Sequence, residues 1–589
     1  MKTINSWNPE KICVIGSCAA FDFDFSRESF HSIREKGFDS VVFGYLDGNW
    51  DAEFSRIDMY SESPVIPCVI PHTRVEANRY ELRRRIDLAS AEGLKVYMSV
   101  RGPMTRTDLA NIDSNRAWVH RNLFGPGGDK WGGSGKEPMC LSNEKVREHY
   151  RLMFQDVEER FPELAGFMFF GGDSFALICD QTCPRCGNVP EYYRWGQWIS
   201  SLCADARGRG VSMKFDIMNW PWWDDLFKMA EFLPSEVGFI AVNDWGFSYG
   251  GRTDGKYPSL LENWEMQEYQ SDCLRLPVTD HETALGLSQG WFGTPMSDSF
   301  KKLAAICKKQ GRRLIGWAHL ICSESIWPYC MPSPKTTVAR LTEFREMEVD
   351  GVFDLWGIDA NILYNKRIDA NMTAFTTFFQ EADTDTVLSK TAQKLYGPEG
   401  SVCAQKAWDA VDDAISRWAI VAYCQRMHWA LRRLFTQKTR TFYVLNLTLP
   451  IDADPDPDQT PFWPDFLKDP VLWDRLKENL STVLAGYDEA LNEYTHLMQQ
   501  VKEEYRETAA FHRDCLLLGR TYHKIGWESA VYQANGLRGI ALENDFMKDA
   551  ITTRTLCRHL YKTLQVVPYE DDGMDEVLED MQEYLSIHP

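Results

Sequence analysis

The sequence predicts an α/β protein, a (β/α)8 barrel followed by an all-α C-terminal region. Three observations carry this. Short apolar runs alternate with longer helical stretches over the first 360 residues or so, the pattern of a parallel sheet with crossover helices. Polar and aromatic residues gather just after those runs and not before them, as one functional rim requires. After about Tyr364 the alternation stops and long amphipathic stretches take over. The predicted domains are therefore 1–365, the barrel and catalytic domain, and 366–589, helical.

Eight strand units are read in order: Lys11 to Ser17, Ser40 to Leu46, Lys95 to Val100, Gly166 to Phe170, Ser212 to Ile217, Val237 to Val242, Arg313 to Trp317 and Gly351 to Leu355. Several follow one entry signal, a helix end, a glycine or acidic turn, then the apolar run. Gly37, Gly93, Gly210 and Gly311 occupy that turn, the place where glycine stops a helix. Predicted helices lie near Ser26 to Lys36, Tyr80 to Glu92 and Asn143 to Arg160. In the C-terminal region they cover Asn371 to Phe379, Thr384 to Tyr396, Ser401 to Phe435, Asp474 to Glu507, Phe511 to Arg538, Ile540 to Leu564 and Asp575 to Ile587. Two connections are long. Phe124 to Cys140 is rich in glycine and is expected to act as a lid, and Phe247 to Gly293 carries His281 and Glu282.

Composition narrows the function classes. The chain has 589 residues, 44% apolar and 25% charged, with a net charge of −21. No basic stretch stands ready to neutralise phosphates, so nucleic acid is not an expected partner. No run approaches a membrane span, and no signal peptide is read at the N-terminus. Sixteen cysteines without an export signal lead to a cytoplasmic expectation with reduced thiols. A homo-oligomer is compatible with all of this.

The chemistry is expected at the strand exits. Leu164 to Ser174 reads as a buried strand followed by Gly171-Gly172-Asp173-Ser174. Glycines there let the backbone turn and a ligand approach. Asp47, Asp216, Asp244 and Asp354 stand at other predicted exits. Glycosidic bonds are cleaved between two carboxyl groups, and indoles stack on sugar faces. The leading expectation is an exo-acting glycoside hydrolase on a small oligosaccharide or glycoside. Asp173 serves as general acid or orienting residue, and Asp244 or Asp216 as base or nucleophile. Trp245, Trp317 and Trp356 stack on the sugar. Asp47, Arg101, His281, Glu282 and His319 complete the binding set. A substrate-assisted β-N-acetylhexosaminidase and a non-catalytic carbohydrate-binding barrel are the alternatives.

Cys179-x3-Cys183-x2-Cys186 raises the question of zinc. No fourth ligand or second C-x2-C pair lies nearby in sequence, so the three thiols are read as packing a loop, with no cofactor and no catalytic metal. No Walker loop occurs.

The element Phe169-Phe170-Gly171-Gly172-Asp173-Ser174 resembles the His-x-Gly-Gly-Asp-Glu motif of family 20 glycoside hydrolases, the β-hexosaminidases. The resemblance implies that Asp173 matches the Asp that orients the substrate's N-acetyl group. Ser174 stands where the family carries its general-acid Glu, a departure from the family mechanism. The run Cys179-x3-Cys183-Pro184-x-Cys186-Gly187 is similar to a cysteine-bearing loop in relatives of the family 20 and family 67 (α-glucuronidase) barrels. Ala392 to Gly400 followed by Ala407-Trp408 is similar to the opening of their helical C-terminal domain.

Overall fold

The computed structural model describes residues 7–15, 24–43, 56–66, 70–101, 104–106, 136–170, 183–218, 223–241, 296, 298–318, 331–354, 369–381, 383–416, 470–537, 544–564, 582 and 585–586. Eight parallel strands close into a barrel: β1 (Glu10–Val14), β2 (Ser40–Phe43), β3 (Lys95–Arg101), β6 (Leu164–Phe170), β7 (Lys214–Met218), β8 (Val237–Ala241), β9 (Leu314–Trp317) and β10 (Gly351–Asp354). Neighbours in space follow chain order, and β10 pairs with β1 to close the ring. Each strand falls within two or three residues of its predicted position where both ends are described. The sequence reading had no counterpart for the short antiparallel pair β4 (Met104–Arg106) and β5 (Lys136–Pro138).

The helices around the barrel are α1 (Arg27–Glu35), α2 (His72–Ala91), α3 (Glu144–Arg160), α4 (Glu191–Gly208), α5 (Trp223–Phe232), α6 (Asp298–Gln310) and α7 (Pro334–Met347). Their ends have local causes. Ser26 caps α1 by accepting from the Ser29 amide, and Asn143 caps α3 by accepting from that of Lys145. Gly37, Gly93, Gly210 and Gly311 all take positive φ, between +63° and +90°, which explains the recurring glycine between helix and strand. Helix α2 begins at His72, eight residues before the predicted Tyr80. Its first turn is polar, so apolar periodicity starts only farther in.

Side chains alternate across each strand. Outward residues such as Phe167, Phe169 and Phe215 pack under the helices, with the Phe169 and Phe215 rings stacked at 5.9 Å and Phe154 of α3 against both Phe167 and Phe169. Inward residues Ile12, Val14, Val42, Tyr97, Met168, Phe170, Met218, Ile240, Ile315, Trp317 and Phe353 fill the barrel. This is a packed interior and not a pore.

The C-terminal region contributes α8 (Ala370–Phe378), α9 (Thr384–Ser416), α10 (Pro470–Gln500), α11 (Glu503–Leu537) and α12 (Asn544–Leu564). Helix α8 packs on the barrel's entrance side, with Phe375 stacked on Phe38 and Phe378 edge-on to Trp7. Helix α9 breaks at Gly397, φ +72°, between the two helices expected there. Tyr396 and Tyr494 hydroxyls meet at 3.0 Å, with His512 Nδ1 2.7 Å from Tyr396, so one buried polar contact ties α9, α10 and α11 together. The expected boundary at residues 365 and 366 lies outside the described residues. None of the helices described is long and apolar enough to cross a membrane.

Candidate active site

The two ends of the barrel differ in chemistry. At the strand entrances an ion network closes the interior. Glu10, first in β1, accepts from Arg313 at 2.6 Å, from the Tyr97 hydroxyl at 3.0 Å and from the Ser40 hydroxyl, with Lys95 and Lys214 at 3.3 and 3.5 Å. Arg313 immediately precedes β9 and also pairs with Asp216. Burial pushes Glu10 upward, but Arg313, Ser40, Lys214 and Lys95 outweigh it and hold its carboxyl down at about 2. Asp216 is more deeply buried, and desolvation moves it above the usual carboxylate range despite Arg313 and Lys214. Gly238 on the neighbouring strand makes room for this pair: a Cβ there would lie 2.1 Å from Asp216 Oδ1.

This placement corrects the reading of Asp216 as a rim carboxylate. It stands in the middle of β7, two residues before the strand ends, with its side chain only 1% exposed and held by Arg313. A charged residue inside an apolar run looks like a strand end in sequence. Its partner lies 97 residues away, so the pairing leaves no local trace.

The opposite rim is where the strand exits lead. β6 ends at Phe170, three residues before Asp173, and β8 ends at Ala241, three before Asp244. β2 ends at Phe43 and precedes Asp47; β9 ends at Trp317 and precedes His319; β10 ends at Asp354 and precedes Trp356. Asp47, Asp173, Asp244, Trp245, His281, Glu282, His319 and Trp356 lie outside the described residues, as do Cys179 and most of the expected lid. Arg101 is the last residue of β3 and pairs in register with Phe170, so the backbone sets it beside the exit that leads to Asp173.

Trp317 is placed differently from its expected role on a sugar face. Its side chain is 2% exposed and sits edge-on to Phe353, with ring centroids 5.9 Å apart. Together with Phe170, Met218 and Ile240 it forms the apolar layer nearest the exits. It is part of the support beneath the rim.

One further cluster borders this rim. Cys140, after β5, meets Cys183 and Cys186 from the connection between β6 and α4. Sγ of Cys140 is 3.9 Å from that of Cys183 and 3.6 Å from that of Cys186. All three are buried. Sequence reasoning found two of these ligand-type residues and missed Cys140, which precedes Cys183 by 43 positions.

No family model matches the chain, and no curated protein resembles it in sequence. Among solved structures, a GH138 enzyme targeting pectin rhamnogalacturonan II aligns over 96% of this chain with a TM-score of 0.52 and 10% identity. This chain spans 64% of that enzyme's length. A mutant of the Thermobaculum terrenum O-GlcNAc hydrolase aligns over 98% of this chain and 94% of its own, at 9% identity and a TM-score of 0.38. A GH20 catalytic module of a pneumococcal exo-β-D-N-acetylglucosaminidase covers 69% of this chain and 91% of its own, at 11% identity and 0.35. The likeness to the GH138 enzyme is one of fold. The structural neighbours are glycoside hydrolases built on an eight-stranded parallel barrel; membership of family 20 or family 67 is not confirmed.

Proposed function

We propose that this chain is an exo-acting glycoside hydrolase working at the strand-exit rim, with Asp173 as general acid and Asp244 as base or nucleophile. The observation that carries the reading is the asymmetry of the closed barrel. The entrance end is filled by Glu10, Tyr97, Asp216 and Arg313, which satisfy one another, leaving the exit end for substrate. In barrels of this kind the chemistry sits at the exits, and a barrel fold shared with a glycoside hydrolase supports the same class here.

With Asp216 committed to Arg313, Asp173 and Asp244 are the strongest remaining pair. Their strands β6 and β8 flank β7, so two inter-strand spacings, about 10 Å, separate the backbones at the exits. Side chains reaching inward from that distance are compatible with retention at ~5–5.5 Å or inversion at ~6.5–9.5 Å. Aromatic surroundings would raise the acid's pKa toward the working pH. Trp245 and Trp356 would stack on the ring, and Arg101, Asp47, His281, Glu282 and His319 would bind its hydroxyl or carboxylate groups.

The test is a screen of nitrophenyl glycosides and natural oligosaccharides with the product anomer followed by NMR. Release of a terminal sugar with one defined anomer is the expected result. Tight sugar binding without turnover, unchanged by Asp173→Asn, would identify a non-catalytic carbohydrate-binding barrel and overturn the proposal.

A further inference from the structure

We infer that Cys140, Cys183 and Cys186 form a structural zinc site that clips two segments of the barrel's exit face together. The three Sγ atoms lie within 4.8 Å of one another, with Cys140 3.9 Å from Cys183 and 3.6 Å from Cys186. Tetrahedral zinc with Zn–S bonds of about 2.3 Å places its sulfurs about 3.8 Å apart, so the two separations from Cys140 are already those of a shared ion, and the third thiol is within reach of it. They are too long for a disulfide, whose sulfurs bond at about 2.05 Å, and three thiols cannot all be consumed by pairing.

The backbone supports the same reading. Cys183-Pro184-Arg185-Cys186-Gly187 has the C-x2-C spacing of zinc ligands, wound into a turn in which the Gly187 amide donates to the Cys183 carbonyl at 2.8 Å. The Val189 amide donates to the Cys186 carbonyl at 2.9 Å, and Asn143, the cap of α3, donates to the Cys140 carbonyl at 2.9 Å. Each ligand thus sits on a fixed backbone.

Electrostatics completes the site. Arg194 of α4 is itself buried, and its Nη1 donates to Cys186 Sγ at 3.0 Å. Three thiolates around Zn2+ carry one net negative charge, and a guanidinium donating to one of them is the outer-shell partner such a centre needs. Binding releases the three thiol protons to solvent and changes no oxidation state. In the fold the ion would join the segment entering α3 to the loop that leaves β6, ten positions beyond Asp173. The role is structural. It holds with or without the proposed glycosidase activity.

The experiment uses the full chain purified under reducing conditions without chelator. Metal analysis should find about one zinc per chain, lost in Cys140→Ser and in Cys186→Ser and retained in Cys403→Ser, a buried cysteine of α9 distant in sequence. Exchange with Co2+ should give a thiolate-to-metal charge-transfer band whose intensity corresponds to three or four thiolates. This spectrum of the unaltered chain decides the matter even if the serine variants fail to fold. Zinc content unchanged in both variants, or no charge-transfer band when Co2+ is added to the reduced metal-free chain, would overturn the inference.

Discussion

Replacing Arg313 with methionine removes the guanidinium that pairs with both Asp216 and Glu10 inside the barrel. The two carboxylates are 1% and 8% exposed in their side chains, so water cannot take over from the guanidinium. Removing one partner from a buried ion pair costs about 3–5 kcal/mol. The Glu10 carboxyl gives an independent scale. Its descent from 4.5 to about 2 corresponds to about 3 kcal/mol at ~1.4 kcal/mol per pH unit. That contribution comes from all its partners, with Arg313 foremost among those that lower it. Because the folded carboxyl holds its proton less tightly than the unfolded one, the contribution is present above pH ~4.5 and is lost as the pH falls toward 2. In Arg313→Met both carboxyls would hold their protons more tightly in the folded chain than they do beside the guanidinium. The variant's deficit should therefore be largest at neutral pH and shrink on acidification. Urea unfolding followed by tryptophan fluorescence at pH 7.5 and pH 5 measures both quantities. Adding Asp216→Asn should recover part of the loss by removing a buried charge. A loss below about 1 kcal/mol, or a deficit that grows as the pH falls, would refute the account of the barrel floor.

Gly238→Ala should disrupt the same pair from the other side, since its Cβ would fall 2.1 Å from Asp216 Oδ1 and 3.2 Å from the Arg313 carbonyl. A destabilisation of about 1–3 kcal/mol is expected from overpacking alone, and unaltered urea unfolding would contradict the placement. Asp369 caps α8 with Oδ1 on the Met372 amide, while Oδ2 is buried with no hydrogen-bond partner among the described residues. Burial outweighs the backbone donors and Lys36 and pushes its carboxyl up to about 6. The folded chain then binds this proton more tightly than the unfolded one, so stability should fall as the pH rises from about 4 to 6, by up to about 3 kcal/mol. Asp369→Asn keeps a capping oxygen and should remove that slope; coincident pH–stability profiles would show that Asp369 does not titrate as described.

Much of the fold was legible because buried parallel strands announce themselves as continuous apolar runs, and because four of the helix-to-strand turns need a glycine at positive φ. Tyr396-Gly397-Pro398 was equally readable, since a glycine followed by proline cannot continue an unbroken helix. What stayed hidden depends on distant partners. The strand-internal Asp216 reads as an exit residue because its main partner, Arg313, stands 97 positions away and meets it only once the barrel closes. Cys140 gives no sign of its proximity to Cys183 because α3 and then β6 intervene. Trp317 was counted with the rim tryptophans since a strand's last residue can face either the mouth or the interior, and only the register of β9 with β10 turns it inward beside Phe353.

The central claim is that Asp173 carries the chemistry at the exit of β6. The most direct measurement compares Asp173→Asn with the unaltered chain on a poor natural leaving group and on an activated aryl glycoside of the same sugar. Protonating the leaving oxygen matters when that oxygen is basic, and general acid catalysis contributes about 10²–10⁴-fold. The account predicts a loss of that size on the natural glycoside and a far smaller one on the aryl substrate. Equal activity of the two proteins on every confirmed substrate would contradict it.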